Sequence, residues 1–381
     1  MALNLELLAS KLRKYREQFQ ASIGEVALVT GISEGSLNAY ENAEKEPTGD
    51  EILILADYFK CDYRFFITGE EVAPFEKTET LFRKHGKQLS KEDRWAIQEF
   101  LYLCECEENL MELLPGRDRE PFTFAKHGTY YKGHGENAAA ALRRHLGYSQ
   151  HQIGMDVYDD FRRIGIHVFR RHLQNSDISG LFIQHPTAGK CILVNYSEDI
   201  YRQRFSAAHE GAHAVLDDEK DFNVSFVREK RDYSEIRANT FASRYLMPLD
   251  FLRGIPNAKQ WDPEKAIYWA NKLKVSTEAL AYALREADLI SGNEVEDFKL
   301  VKVPAELKID PELPHNLPEK SHERKKVLLR LGFSDSYVGL CFAAYENGMI
   351  TGGRLAEILL ISEHALPSLA ALYGRSLSYG D

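Results

Sequence analysis

The stretch Ala207-Ala208-His209-Glu210-Gly211-Ala212-His213-Ala214-Val215 places two histidines four residues apart in an apolar run that predicts an α-helix. At about 3.6 residues per turn, His209 and His213 lie one above the other on one helix face. Two imidazoles in this arrangement can occupy two corners of a tetrahedral metal site. Glu210 points about a quarter-turn away from them, which suits a general base acting on water better than a further ligand.

A third ligand is predicted on a second amphipathic helix that ends before Pro248. Glu235 and Asn239 are four residues apart on it, so both can face the first helix. Glu235 would complete a His2Glu set, and Asn239 could orient one imidazole through its outer ring nitrogen. The histidine pair alone also fits ordinary surface histidines, with Glu235 as a solvated charge. The added glutamate and amide favour the metal site.

Further motifs surround the histidine pair in a specific order. They are Ala138 to Arg143, Gly165 to Phe169, Asp177 to Leu181, Ile192 to Asn195, Gln203 to Glu210 and Ala238 to Pro248. Residues from about 137 to 256 therefore resemble the ImmA/IrrE family of metallopeptidases. The resemblance implies a compact zincin-type domain in which His209, His213 and Glu235 bind Zn²⁺, with Mn²⁺ as the alternative ion, and Glu210 is catalytic. Gly211-Ala212 departs from the family pattern, which usually has a bulky apolar residue followed by Gly.

The first 69 residues predict five short helices. Ser22 and Glu25 form a capping-box pattern, and Ser33 can cap the third helix. This segment resembles the XRE/Cro-type helix-turn-helix domain, including Arg16 and Glu41, which commonly pair in that family. The polar residues left for DNA contacts on the predicted recognition helix are Ser33, Ser36, Asn38 and Asn42.

The charge balance opposes a general affinity for DNA. Residues 1–70 carry seven Lys and Arg against twelve Asp and Glu, and the whole chain has a net charge of −10. A phosphate-binding surface needs the reverse balance. The alternative to sequence-specific DNA binding is therefore a helix-turn-helix fold used for dimerisation or protein docking.

Composition indicates an ordinary globular protein, with 44% apolar and 28% charged residues. The sequence predicts neither a membrane span nor a signal peptide. Five scattered cysteines favour a reducing cytoplasm. Cys104 and Cys106 are too close together for a typical metal pair and are better explained as buried thiols. We expect a cytoplasmic protein without a membrane partner.

The predicted fold class is multi-domain and mainly α. With 381 residues, the chain has room for two or three domains. The boundaries are a helix-turn-helix domain at 1–69, a linker and scaffold or dimerising helix at 70–136, an α+β zincin-like metallopeptidase domain with a small antiparallel sheet at 137–298, a Pro-rich linker at 299–323 and a C-terminal helical unit at 324–381. The C-terminal unit is either a second small helix-turn-helix or, as we favour, a packing appendage.

Three short strands are predicted near His167, Gly180 and Cys191. Zincins commonly bind an extended peptide along an edge strand. The strand proposed for that role consists of Cys191, Ile192, Leu193, Val194 and Asn195. Among the other histidines, His167, His172 and His185 are expected to be structural, with ligation as the alternative. The stretch from Phe122 to Gly135, which holds His127 and His134, is expected to be a solvent loop near the active cleft, with a second metal site as the alternative.

The resemblance implies a protein substrate, in particular a repressor of the helix-turn-helix type whose cleavage relieves repression in stress or mobile-element control. The competing hypothesis is a DNA-binding transcriptional regulator whose metal domain senses and does not cut. The intact His209-Glu210 to His213 motif favours the protease, because a sensor does not need Glu210.

Overall fold

The computed structural model describes residues 4–61, 63–68, 80–82, 85, 88–114, 119–217, 222–226, 233–313 and 316–377. They form two compact units, one of residues 1–105 with 173–175 and one of residues 106–172 with 176–381. The mainly helical, multi-domain fold class is confirmed. The predicted linker at 70–90 lies outside the described residues, except for 80–82, 85 and 88–90.

The first unit begins with the five helices expected from the sequence. They are α1 (Leu5–Gln18), α2 (Ile23–Thr30), α3 (Glu34–Glu41), α4 (Gly49–Phe59) and α5 (Arg64–Ile67). Ser22 and Glu25 form the predicted capping box, and the Ser33 hydroxyl caps α3. Arg16 donates to both carboxylate oxygens of Glu41, with nitrogen–oxygen distances of 2.7 and 2.8 Å, which confirms that pair. A long helix, α6 (Lys91–Leu113), follows and continues into the second unit.

The second unit contains a small sheet surrounded by helices. Its helices are α7 (Tyr131–His145), α8 (Val157–Arg163), α9 (Ile200–Leu216), α10 (Tyr233–Leu246), α11 (Leu249–Arg253), α12 (Pro263–Leu273), α13 (Thr277–Glu286), α14 (Gly292–Lys299), α15 (Glu319–Arg330), α16 (Asp335–Glu346), α17 (Gly352–Ile358) and α18 (Leu366–Leu372), with short 3-10 helices at Ala305–Leu307 and Glu363–Ala365. The strands are β1 (His167–Arg171), β2 (Ile178–His185), β3 (Gly189–Asn195) and β4 (Phe222–Phe226).

The strand order within the described residues is β1-β3-β2-β4. Strand β2 pairs antiparallel with β3 and β4, whereas β1 pairs parallel with β3. The sheet is therefore mixed rather than wholly antiparallel as expected. The reason is that the tight β2–β3 turn places β3 inside the sheet, next to a β1 that runs in the same direction.

The same strand order corrects the predicted substrate strand. Cys191, Ile192, Leu193, Val194 and Asn195 belong to β3, which is an interior strand, and all five side chains are buried. Both sides of β3 are used for backbone pairing, so no peptide can add to it. The strands at the two edges of the described sheet are β1 and β4.

One of these edges is covered from the C-terminal part of the chain. Arg171 of β1 forms a β-bridge with Leu331, and the backbone N–H of His172 donates to the carbonyl of Arg330 at 2.9 Å. Capping an edge strand in this way removes a template for unwanted strand pairing. On β4, no strand pairs with the outer edge among the described residues.

The Pro-rich segment predicted as a linker belongs to the second unit in the structure, and its residues Asp310 and Glu312 contact other parts of that unit. Asp310 accepts two 2.9 Å hydrogen bonds from the buried guanidinium of Arg170, and Glu312 accepts a third at 2.7 Å. Arg162 pairs with the other oxygen of Glu312 at 2.7 Å. Prolines prevent regular structure here but do not prevent docking, and the two acidic residues compensate a buried charge.

Among the described residues, no single helix has the length and apolar character of a membrane span, and only the pair Gly352–Ile358 and Glu363–Leu372, bent by 91°, meets those criteria jointly. The cysteines Cys61, Cys104, Cys106, Cys191 and Cys341, all among the described residues, are not joined in disulfides.

Candidate metal centre

Contacts with other parts of the second unit fix helix α9 independently of any metal ion. Asp199 caps its first turn, and the fully buried Arg204 donates to the carbonyl oxygens of Met155, Gly154 and Lys274 at 2.7, 3.1 and 3.2 Å. Three carbonyl oxygens accept hydrogen bonds from this guanidinium, so a rotation of the helix would leave a buried positive charge without acceptors. The histidine face therefore has a set orientation.

Two glycines permit the close packing of α9. A Cβ at Gly211 would lie 2.0 Å from the ring of Phe161 on α8, and a Cβ at Gly180 on β2 would lie 3.0 Å from Cγ of Glu210. Gly211 is where the sequence departs from the ImmA/IrrE pattern. The structure explains the departure, because the Phe161 ring occupies the space of a larger side chain.

The three predicted ligands converge. Nε2 of His209 and Nε2 of His213 lie 3.2 Å apart. Oε2 of Glu235 lies 3.0 Å from the first of these nitrogens, and Oε1 lies 3.2 Å from the second. A tetrahedral ion with bonds of about 2.0–2.2 Å separates its ligand atoms by about 3.4 Å. The spacing therefore fits three corners of such a site.

The outer ring nitrogens show which atoms are available for an ion. Nδ1 of His213 lies 2.7 Å from Oδ2 of Asp217, and Nδ1 of His209 lies 3.1 Å from Oδ1 of Asn239. Both partners are acceptors, so both Nδ1 atoms carry protons and the two Nε2 atoms can present lone pairs. A cation would be stabilised where two nitrogen lone pairs and a carboxylate face one point. The residues present therefore fit a divalent ion.

The electrostatics of Glu235 agree with this arrangement. Burial raises the pKa of its carboxyl, but interactions with His209 and His213 outweigh burial and hold the pKa well below its usual value. Asn223 on β4 also donates to Oε1 of Glu235 at 3.3 Å. The carboxylate is thus kept ionised and in place, as a ligand must be.

Glu210 has a different environment from Glu235. It is fully buried, and neither carboxylate oxygen has a hydrogen-bond partner among the described residues. Burial raises the pKa of Glu210, while interactions with His209, His213 and the nearby Ser225 hydroxyl oppose the rise. A carboxylate without hydrogen bonds beside the ligand cluster is free to accept a proton from a bound molecule.

The sequence interpretation missed three residues of the site. Asp217 and the two β4 residues Asn223 and Ser225 all lie against the predicted side chains. Asp217 is four residues after His213, a spacing that places it on the same helix face. Strand β4 carries an alternating pattern, Phe-Asn-Val-Ser-Phe, which is a signal for a half-buried strand.

The other histidines have local partners that suit structural roles. His134 donates to the carbonyl of His127 at 2.9 Å, and His172 lies 2.6 Å from the Ser197 hydroxyl. His185 is the last residue of β2, and its Nδ1 accepts the backbone N–H of Ala188 at 3.1 Å. His167 lies between two glutamates. Among the described residues, His209, His213 and Glu235 are the one group of three ligand-type side chains that converges.

The predicted DNA contacts lie at the start, middle and end of α3. The Ser33 hydroxyl accepts the N–H of Ser36 at 3.1 Å, and the Asn38 amide donates to the carbonyl of Glu34 at 2.8 Å. Asn42 accepts from Arg13 at 3.2 Å. These residues serve the fold of the first unit, so a DNA role would have to share them with these internal contacts.

These features define a helix-turn-helix protein with a second unit of the metallopeptidase type. Comparison with known families agrees. Residues 12–66 match the helix-turn-helix family, and residues 161–285 match the Peptidase_M78 family, described as the IrrE N-terminal-like domain. The chain thus carries a segment similar to the XRE-type helix-turn-helix domain, followed by one similar to the ImmA/IrrE-type domain, which supports the combination of a DNA-binding regulator with a protease-like domain. Among curated proteins, no relative matches the chain.

Proposed function

We propose that the protein is a metal-dependent endopeptidase that cuts a regulatory protein, with the helix-turn-helix domain serving to target it. The observation that carries the proposal is the convergence of His209, His213 and Glu235 beside the unpartnered carboxylate of Glu210. A purely structural metal site needs a fourth protein ligand and has no use for such a carboxylate. Zn²⁺ suits this donor set, and Mn²⁺ is the alternative ion.

The residues divide the chemistry between them. A divalent ion at this site supplies Lewis acidity toward a carbonyl oxygen and a water molecule. His209, His213 and Glu235 would hold it, and Asn239 and Asp217 fix the ring orientations. Glu210 accepts a proton from the attacking water and returns it to the leaving nitrogen, so that the amide bond breaks and the amine leaves as a neutral group.

The outer edge of β4 is the better position for the substrate backbone. Strand β4 pairs with β2 on one side only among the described residues. Its residues Asn223 and Ser225 lie beside Glu235 and Glu210, respectively. An extended peptide paired with this edge would bring its carbonyl groups past the metal centre, and the strand pairing would not require a particular sequence.

We propose that the substrate is a transcriptional repressor of the helix-turn-helix type, cut in the cytoplasm during a stress or mobile-element response. The helix-turn-helix match supports a link to transcription. Two roles for this domain remain consistent with its acidic surface: specific recognition of a DNA site, and pairing with a second copy of the chain or with the substrate.

Incubation of the zinc-loaded chain with purified helix-turn-helix repressors tests the proposal. The wild type should yield discrete fragments, identified by mass spectrometry, and a chelator should stop the reaction. Glu210→Gln is the matched control, because it keeps volume and the metal ligands but removes the base. It should bind zinc as the wild type does and cut at least about 100-fold more slowly.

Equal cleavage by Glu210→Gln would contradict the assignment of the base. Zinc binding by the wild type without cleavage of repressors or of an unfolded test protein would instead favour the transcriptional regulator with a metal-sensing domain.

A further inference from the structure

We infer that Arg237 is a positioning residue of the metal centre and acts on His213 through Asp217. The inference rests on the proposed metal site and adds a residue that contacts no ligand atom. Arg237 lies between Glu235 and Asn239 in α10. Each of these three residues thus connects to the imidazole pair, Glu235 and Asn239 directly and Arg237 through a carboxylate.

The carboxylate of Asp217 is shared between two partners. Its Oδ2 accepts from Nδ1 of His213 at 2.7 Å, and its Oδ1 contacts Nη2 of Arg237. Asp217 is 3% exposed and Arg237 is 7% exposed. Water therefore cannot replace the guanidinium at little cost, and its loss would leave a buried anion with one neutral donor.

The backbone of Arg237 is fixed independently of this ion pair. Helix α7 crosses α10 at Gly135, where a Cβ would lie 2.5 Å from the carbonyl oxygen of Arg237 and 2.9 Å from the amide nitrogen of Phe241. Such close contact leaves α10 little room to slide. The guanidinium therefore holds Asp217 from a rigid support, and Asp217 in turn holds the His213 ring in the orientation that directs Nε2 at Glu235.

Zinc affinity of the full chain measures this role without relying on cleavage. Partners that orient ligand histidines typically affect metal affinity about 10–100-fold. We expect Arg237→Gln to weaken zinc binding at least about 10-fold in competition with a chromophoric chelator. Arg237→Lys, which keeps the charge but not the fork of donors, should lose less.

Arg244→Gln is the matched control. Arg244 lies on the same helix, is equally buried, and pairs with Glu136 and Glu286 at 3.3 and 2.9 Å rather than with Asp217. Its loss should lower the melting temperature of the apo protein but leave zinc affinity within about twofold of the wild type. Comparison of the two variants separates loss of a buried arginine from loss of the connection to His213.

A double-mutant cycle tests the route through Asp217. Asp217→Asn should weaken zinc binding, and Arg237→Gln should add little to it, because the two residues act on the same ring. Fully additive effects, or wild-type affinity in Arg237→Gln, would overturn the inference while the proposed function stands. A wild type that takes up no zinc would instead refute the proposed metal site. Melting curves of the apo variants show whether a variant is unfolded. If Arg237→Gln is unfolded, the zinc affinity of Arg237→Lys tests the inference instead.

Discussion

Gly180 of β2 lies directly against Glu210 of α9: a Cβ on the glycine would be 3.0 Å from Cγ and 3.3 Å from Oε1 of the glutamate. It would also lie 2.8 Å from the carbonyl oxygen of Leu193 on β3. The absence of a side chain at Gly180 therefore sets how closely the proposed base approaches the sheet.

Gly180→Ala should consequently separate cleavage from metal binding. We expect a cost of about 1–3 kcal/mol in the free energy of unfolding, because the added methyl group overpacks the helix–sheet contact. The displaced Glu210 should lower the cleavage rate at least about 10-fold, since proton transfer needs hydrogen-bond geometry. Zinc affinity should stay within about twofold, as measured by chelator competition. Loss of zinc binding together with cleavage would contradict this division.

Gly211→Ala tests the packing of α9 against α8. The added Cβ would lie 2.0 Å from the Phe161 ring, which is itself buried. Helix propensity alone favours Ala by about 1 kcal/mol, so a net loss of stability is attributable to the clash. We expect a loss of about 1–3 kcal/mol in chemical denaturation.

A second change tests the cause of that loss. Phe161→Leu provides space for the new methyl group, so Gly211→Ala should cost less in the Phe161→Leu background than in the wild type. Equal costs in both backgrounds would mean that the ring does not require Gly211.

The pH dependence of stability should reveal the ion cluster around His167. Nδ1 of His167 lies 2.6 Å from Glu107, and Nε2 lies 3.0 Å from Glu108. Burial lowers the pKa of His167, but the two carboxylates outweigh it and raise the pKa to about 10. The pKa of Glu108 is lowered to about 2, chiefly by its hydrogen bond to His167.

These pKa shifts determine how the free energy of unfolding changes with pH. The contribution of His167 is complete below its unfolded pKa of about 6.5 and is lost as pH rises through about 10. That of Glu108 is complete above about 4.3 and is lost as pH falls through about 2. His167→Gln should cost about 3–5 kcal/mol near pH 6, and its deficit relative to the wild type should shrink as pH rises from about 6.5 to about 10. A deficit that does not change between pH 6 and 10.5 would contradict a charged His167.

The sequence predicted those parts of the site that depend on local geometry. Helical spacing predicts that His209 and His213 share one helix face and that Glu235 and Asn239 share another, and the structure brings these side chains together. The caps at Ser22 and Ser33 and the Arg16–Glu41 pair were predictable for a similar reason, since each is a short-range or family-typical contact.

The sequence-based predictions that were wrong or incomplete concern properties that only the tertiary structure determines. The position of β3 inside the sheet depends on strand order, which alternation of residues does not encode. The docking of Asp310 onto Arg170 could not be inferred from a segment rich in proline. Asp217 was overlooked because it follows the last turn of α9, where its role becomes visible only once His213 is known to turn toward Glu235.

Binding to random DNA should be absent. The first 70 residues are acidic, and α3 exposes Glu34 at its N-terminal end. Without a surplus of cations, little counterion release is available to drive non-specific binding. Fluorescence anisotropy with a random duplex at 50 mM salt should show no saturation. Tight random-duplex binding that weakens steeply toward 200 mM salt would contradict this expectation.

Zinc stoichiometry of the full chain tests the central claim most directly. The protein is stripped with a chelator, titrated with Zn²⁺ and measured by mass spectrometry under native conditions, alongside His213→Ala. We expect one ion per wild-type chain and a thermal stabilisation by excess zinc, because an ion that binds only the folded state adds about 4 kcal/mol at 1,000 times its dissociation constant. His213→Ala should show neither. Absence of zinc from the wild type, or equal uptake by His213→Ala, would contradict the account.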